Sequence, residues 1–418
     1  MTVQLTARNA SADELVRILS TQQAHKLDVV APARCIWSRN GRLVVAGTEA
    51  DITEDGVTQV DGTYELTEIA DRGLADKLGI GQTYFRKMRE AGRSDLIDGN
   101  VNGWLHGNRN PDGNVLHAAD ARSFLLRLFR GDDGQPGVAR ALLSDRYALS
   151  MDNLDMLVAV TEGIQAAGVN PIINVSDLSE NRMRVRFEFP EVYGRAEGLL
   201  DGYRSPFDGN GGTDRGPRRA GHRDLAALRA QYGAHHIFNH GEEPLAYMGL
   251  DFDNSETGGG AYNLVPVVCL VRCTNGWTDV RKGLRKIHRG ALLSEGVIRP
   301  SLTTVRAAGQ LIKSETTDAV TQWLTTDYLN ELIAGFEEKA AEPISSPTEV
   351  VPKVCQGLGF TAEETKSVLD FFILSGQPTA GGVANAITAY AQTVEDPDRA
   401  YEVERLAVPA LEAVAVRR

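Results

Sequence analysis

The sequence predicts an α+β fold, in which an antiparallel β-sheet core is backed by helices and followed by a mostly helical C-terminal region. Three observations carry this. "NRMRVRFEF" alternates strictly, with Met183, Val185, Phe187 and Phe189 on one face and Arg182, Arg184, Arg186 and Glu188 on the other, which is the period of a strand. "YNLVPVVCLVRC" (262–273) is an apolar run of strand length. Beyond residue 300 the spacing turns helical, and strands do not alternate regularly with helices, which disfavours a doubly wound parallel sheet.

Along the chain, "SADELVRILSTQQAHKL" reads as a helix, and the apolar runs on either side of Asn40-Gly41 read as a hairpin with a tight turn of positive φ. In "IADRGLADKLGIGQTYFRKMREAG", Ala75 and Gly79 stand at helix-turn-helix spacing. Two readings follow. Either 73–90 forms two short helices packed into the core through Leu74, Leu78, Ile80 and Phe85, or Gln82, Arg86 and Arg89 face outward as a recognition helix. We expect the first, because the pattern is short and degenerate.

An apolar helix over 152–167, with Asp152 or Asn153 as its cap, precedes the alternating strand. Residues 204–223, rich in Gly, Pro and Arg, read as a loop. Pro266 suggests an edge or bulge in the next strand, since proline cannot donate to a ladder. From Asp279, "DVRKGLRKIHRGALL" predicts an amphipathic helix with Val280, Leu284 and Ile287 inward. The expected division is 1–62 (helix plus hairpin), 63–320 (α+β core) and 321–418 (helical).

The charge is unevenly spread. The net charge is −12, yet residues 331–418 carry −7 of it, while 279–292 carries +4. A local basic surface is therefore compatible with an acidic chain. No run approaches the roughly 20 apolar residues of a membrane span, and the first residues lack a basic stretch followed by an apolar one. A cytoplasmic location is expected, with no membrane partner. The four cysteines are scattered and read as buried thiols.

Catalytic signatures are absent. There is no phosphate-binding loop, no dinucleotide fingerprint, no nucleophile elbow and no catalytic-cysteine motif. The absence favours a binding protein, with no cofactor and no catalytic residue expected. In "HHIFNH" (235–240), His236 and His240 are four apart, and Asp251 follows; together they make a metal-site alternative without the His-Glu-x-x-His pattern.

The stretch "LDFDNSETGGGAYNLVPVVCLVRCTNGW", with "KIHRG" after it, resembles the phage/plasmid-like proteins grouped as domain of unknown function 932. Asn254, Ser255, Glu256, Gly258, Cys273, Thr274, Asn275, Gly276 and His288 carry the resemblance, supported by "LSDRYALSMDN" and "GVANAITAYAQ". It implies a distant similarity to Rad-type single-strand annealing proteins. Those build a curved sheet backed by a helix, assemble as rings and hold single-stranded DNA in an outer basic groove.

The leading expectation is thus a phage-encoded, single-stranded-DNA-binding, annealing-type protein of replication or recombination, acting as a homo-oligomer. Three in-line arginines about 6.5–7 Å apart approximate the phosphate repeat of an extended strand, although a solvated outer face gives the same pattern. The candidate contacts are Arg182, Arg184, Arg186, Arg272, Asn275, Arg281, Lys282, Arg285, Lys286, His288 and Arg289, with Trp277 and Tyr262 as stacking candidates. The alternatives are a metal-dependent enzyme built on 235–240, and an acidic protein that occupies a host DNA-binding factor.

Overall fold

The computed structural model describes residues 3–54, 56–131, 135–149, 151–207, 244–271, 276–288 and 290–415. The fold is mixed α+β, with sheets in the N-terminal two-thirds and helices from Leu302 onward.

Helix α1 (Ala12–His25) starts at Ser11, whose side chain accepts the Glu14 N–H, and runs directly into β1 (Lys26–Pro32). Strands β2 (Ile36–Arg39) and β3 (Arg42–Val45) form the expected hairpin. Its turn residues Asn40 and Gly41 have φ of 54° and 73°, and the Asp98 carboxylate accepts both of their backbone N–H groups. A short hairpin, β4 (Asp51–Thr53) and β5 (Gly56–Thr58), leads to β6 (Gly62–Leu66).

Segment 73–90 falls within two packed helices, α2 (Glu68–Leu78) and α3 (Gln82–Glu90), with Gly79 closing α2 at φ 68°. Leu74, Leu78, Ile80 and Phe85 are buried, as expected. Helix α4 (Ser94–His106) completes this layer, and a second small hairpin, β7 (Asn108–Arg109) and β8 (Val115–His117), follows it.

With β9 (Ser123–Phe129) and β10 (Gly137–Ser144) these strands build a seven-stranded sheet in the order β17-β1-β9-β10-β6-β3-β2, where β17 is Gly296–Val297. Only the β6–β10 pair in it is parallel. Leu27, Val29, Leu126, Leu128 and Leu142 face α2–α4 and form their common core. Strands from 1–62 and from 63–144 therefore share one sheet. Leu27, Val29, Ile36, Leu43 and Val45 of β1 to β3 are buried in the core that this sheet shares with α2–α4.

After α5 (Asn153–Ala166) come β11 (Ile172–Leu178), β12 (Met183–Arg195), the one-turn α6 (Glu197–Leu200), β13 (Leu245–Asn254), β14 (Tyr262–Leu270), β15 (Gly276–Thr278) and β16 (Leu284–Lys286). They form an antiparallel sheet in which β14 pairs with both β15 and β16. Pro266 is not at an edge. It sits in the interval where β14 changes partner, from β16 beside 262–264 to β15 beside 267–269, so the missing N–H interrupts no pairing on that side.

The predicted helix over 279–293 does not form. Asp279 caps a single 3₁₀ turn, Val280–Lys282, by accepting the Arg281 N–H, and the chain then extends as β16. Leu284 is half-buried and Ile287 is 72% exposed, which removes the inward apolar face expected there. A helix at this point would leave the Tyr262–Leu264 edge of β14 unpaired; β16 supplies those backbone partners instead.

The helical region comprises α7 (Leu302–Trp323), α8 (Thr326–Ala340), α9 (Pro347–Gly357), α10 (Ala362–Ser375), α11 (Ala380–Ala391), α12 (Pro397–Arg405) and α13 (Ala407–Ala415). Helix α7 lies against α5 at Gly163, where a Cβ would stand 2.6 Å from the Thr316 Cβ; glycine permits the close crossing. The remaining helices bury Leu329, Phe336, Val351, Phe372, Ile387 and Leu411 in one core with Met248, Leu270 and Trp277 of the second sheet. The helical part thus starts at 302, ahead of the expected 321, and is integral to the second sheet.

Candidate nucleic-acid interface

The basic face of β12 is not a surface. Arg184 and Arg186 are each only 3% exposed, because α12 lies over them. Arg186 donates to both oxygens of Asp251, at 2.7 and 2.8 Å, and Arg184 reaches Asp251 at 2.9 Å. Glu404 of α12 closes the group, 2.8 Å from Arg184 and 2.9 Å from Arg186. Arg184 also lies over the Tyr401 ring at 4.7 Å. Arg182, partly exposed, binds Asp253 at 2.6 Å. Burial alone would raise the Asp251 carboxyl, but the two guanidiniums overcome it and hold Asp251 well below the usual carboxylate range.

The expectation that Arg184 and Arg186 track phosphates is therefore corrected. Paired carboxylates one strand away, Asp251 and Asp253, and an acidic helix from the far end of the chain already occupy them.

The second basic group is dispersed. Arg281 binds Asp279 and Glu412, the latter at 2.8 Å. Lys282 approaches Glu331 at 3.6 Å, and Lys286 pairs with Glu315. Arg285 is exposed and has no ion-pair partner among the described residues. Arg272, Asn275 and Arg289 lie outside the described residues, as do His235, His236 and His240. Trp277 and Tyr262, the expected stacking residues, are buried core side chains and offer no face to a ligand.

His288 is buried too, and its surroundings explain the motif around it. Its ring stacks on Tyr147 with centroids 5.1 Å apart and planes 2° from parallel, and Nε2 lies 3.0 Å from the Asn254 Oδ1. Asn254 also donates to the Asn153 side chain and the Met151 carbonyl. Glu256 accepts the Asn153 N–H at 3.0 Å and pairs with Arg140 at 2.5 Å. Arg127, fully buried, donates to Asp28, Asp152 and the Glu256 carbonyl.

The residues Asn254, Glu256 and His288 thus join β13 to the first sheet and to the start of α5. Burial pushes the His288 imidazole down to about 4, and the Arg127 charge acts in the same direction. Burial of Glu256 would raise its carboxyl, but Arg140 and Arg127 bring it down to about 2. This is a polar knot inside the fold, and His288 is no contact for a strand.

The metal alternative loses Asp251, which is committed to two arginines. Among the described residues no group of three His, Cys, Asp or Glu is placed to hold an ion. A cleft of about 1390 Å³ opens between α2–α3, the β11–β12 turn and the start of α12. Gln82, Arg86 and Arg89 do line it, but eight carboxylates against five guanidiniums surround it. Arg89 is tied to Asp71 at 2.6 Å, and Arg399 to Glu364 at 2.7 Å. Its excess of negative charge repels a phosphodiester.

Exposed aromatic rings flank the end of α4, one of them on the same strand as Arg39, a cation with no ion-pair partner among the described residues. Trp37 and Trp104 are each 42% exposed, rare for so large an apolar side chain. The alternating burial of β2 turns Ile36 and Ser38 inward and Trp37 and Arg39 outward. His106, at the end of α4, stacks on Trp37 with centroids 3.5 Å apart and planes 19° apart, and its Nε2 lies 2.9 Å from the Ile36 carbonyl. Two residues earlier on the same helix, Trp104 meets His117 edge-on. Arg39 has no ion-pair partner among the described residues. The signal in the sequence was the outward phase of Trp37 in "CIWSRNGRL", which is legible only once the hairpin is assigned.

The sequence matches no family profile, no curated protein and no solved structure. Among the described residues no helix is long and apolar enough to cross a membrane.

Proposed function

We propose that the chain is a single-stranded-DNA-binding protein of the annealing type, acting in phage replication or recombination without chemistry of its own. The strand runs over the outer surface of β2, β3 and the end of α4. The observation that carries this reading is the exposed Trp37 ring, held flat by His106 and flanked on its own strand by Arg39. A rigid aromatic platform beside a cation without an ion-pair partner among the described residues suits stacked bases and their phosphates, and is tolerant of sequence because every base has a π face. Annealing asks only that the backbone be partly neutralised and base edges left free to pair. Homo-oligomer formation, with a ring as the form implied by the resemblance to Rad-type annealing proteins, belongs to the same reading.

The acidic C-terminal region limits non-specific contact elsewhere on the molecule. The test is fluorescence anisotropy with labelled single- and double-stranded oligonucleotides at low salt, alongside size-exclusion mass. Retention of single strand, weakened in Trp37→Ala, supports the proposal. If the wild-type protein retains neither form at low salt, the reading fails, and an acidic partner for a host DNA-binding factor replaces it.

A further inference from the structure

The groove beside Trp104 has the size of one nucleotide, and we propose that it seats a single unpaired base; the inference rests on the single-strand reading above. The groove encloses about 320 Å³ between Leu78, Trp104, His117, Asp120, Arg122 and the intervening alanines. The Trp104 and His117 rings meet at 80° with centroids 4.4 Å apart, forming a corner between two exposed rings. A flat ring laid on the indole meets the imidazole at its edge, the geometry aromatic groups favour.

The charge around the groove argues for a base inside and phosphates outside. Arg122 is not a free anion receptor. Its guanidinium donates to Asp120 at 2.6 Å and to the Lys77 carbonyl at 2.7 Å, and it lies 5.1 Å from the centre of the Phe124 ring. Those hydrogen bonds lower the Asp120 carboxyl, so the pair is neutral within the groove. Uncompensated charge stands beside it instead. Lys77 and Arg109 have no carboxylate partner among the described residues, and Arg109 reaches only the Gly113 carbonyl, at 3.0 Å. A neutral aromatic corner with cations flanking it is complementary to one nucleotide of a strand, an apolar ring between two phosphodiesters.

The preference should be for purines, whose larger ring covers more of the indole. The test compares oligodeoxyadenylate, oligodeoxythymidylate and an abasic strand of equal length, read by anisotropy and by tryptophan quenching. Wild type should bind the adenylate most tightly and the abasic strand least. Trp104→Ala should weaken adenylate binding roughly 5- to 150-fold and remove the preference over the abasic strand, while Trp104→Phe should keep part of it. The exposed position makes both variants foldable, which a thermal melt checks. If wild type retains strands but Trp104→Ala discriminates adenylate from abasic as wild type does, the base seat is wrong and the single-strand function stands. If wild type retains no strand at all, both fall together.

Discussion

The Arg186 guanidinium lies edge-on to the Asp251 carboxylate, with Nε to Oδ1 at 2.7 Å and Nη2 to Oδ2 at 2.8 Å, and both side chains are only 3% exposed. This two-pronged pairing is the strongest geometry an arginine and a carboxylate adopt. It turns the most basic-looking strand in the sequence into an interior element.

Removing one member should therefore unfold rather than unbind. Arg186→Met leaves Asp251 and Glu404 buried beside Arg184 alone, and should cost about 3–5 kcal/mol of stability. Urea denaturation measures it. The salt dependence of oligonucleotide binding should stay at the wild-type value, and a changed slope would return Arg186 to the interface.

Acid should weaken the fold in two stages. His288 is held neutral with its pKa lowered to about 4 from 6.5, so its contribution is complete above pH 6.5 and is lost as pH falls toward 4. Glu256 is lowered to about 2 from 4.5, so its contribution is complete above pH 4.5 and is lost as pH falls toward 2. Urea midpoints measured from pH 8 to 3 should decline from about pH 6.5 downward. His288→Gln should be less stable at neutral pH but should flatten the decline between 6.5 and 4; an unchanged profile would contradict the assignment.

Arg39→Gln should leave stability within about 0.5 kcal/mol of wild type, since the side chain is exposed and without an ion-pair partner among the described residues. It should lower the slope of log affinity against log salt by roughly 0.7, the value for one phosphate contact on a single strand. Trp37→Ala should cost about 1–3 kcal/mol of binding with little change in that slope, because stacking is not ionic.

Gly107→Ala should disturb the Trp104 groove from behind. The residue has φ 78°, and an added Cβ would stand 2.6 Å from the His117 carbonyl oxygen. The hairpin bearing His117 must shift to accommodate it. A lower melting temperature together with altered Trp104 fluorescence is expected; retention of both wild-type values would mean that the hairpin moves without cost.

Local pattern by itself determined the strand over 183–189, the hairpin at Asn40–Gly41, the helix pair that buries Leu74 and Phe85, and the helical C-terminal region. Each depends on neighbours within a few residues, where periodicity and turn chemistry act directly. It could not determine what covers the arginine face of β12. That face is polar by composition and buried by partnership, and its partners Asp251 and Glu404 stand 65 and 218 residues beyond Arg186. Alternation reports which side chains share a face, never whether that face meets water, strand or another helix.

The same limit misled the reading of 279–293. Its spacing suits a helix, but an unpaired stretch of β14 needs backbone partners, and hydrogen bonds that would otherwise go unmade outweigh local helical preference. The motif around Asn254, Glu256 and His288 was visible as a set of residues but not as a knot. Only the approach of two sheets gathers Arg127, Arg140 and Tyr147 around it, where low dielectric makes each group depend on the next.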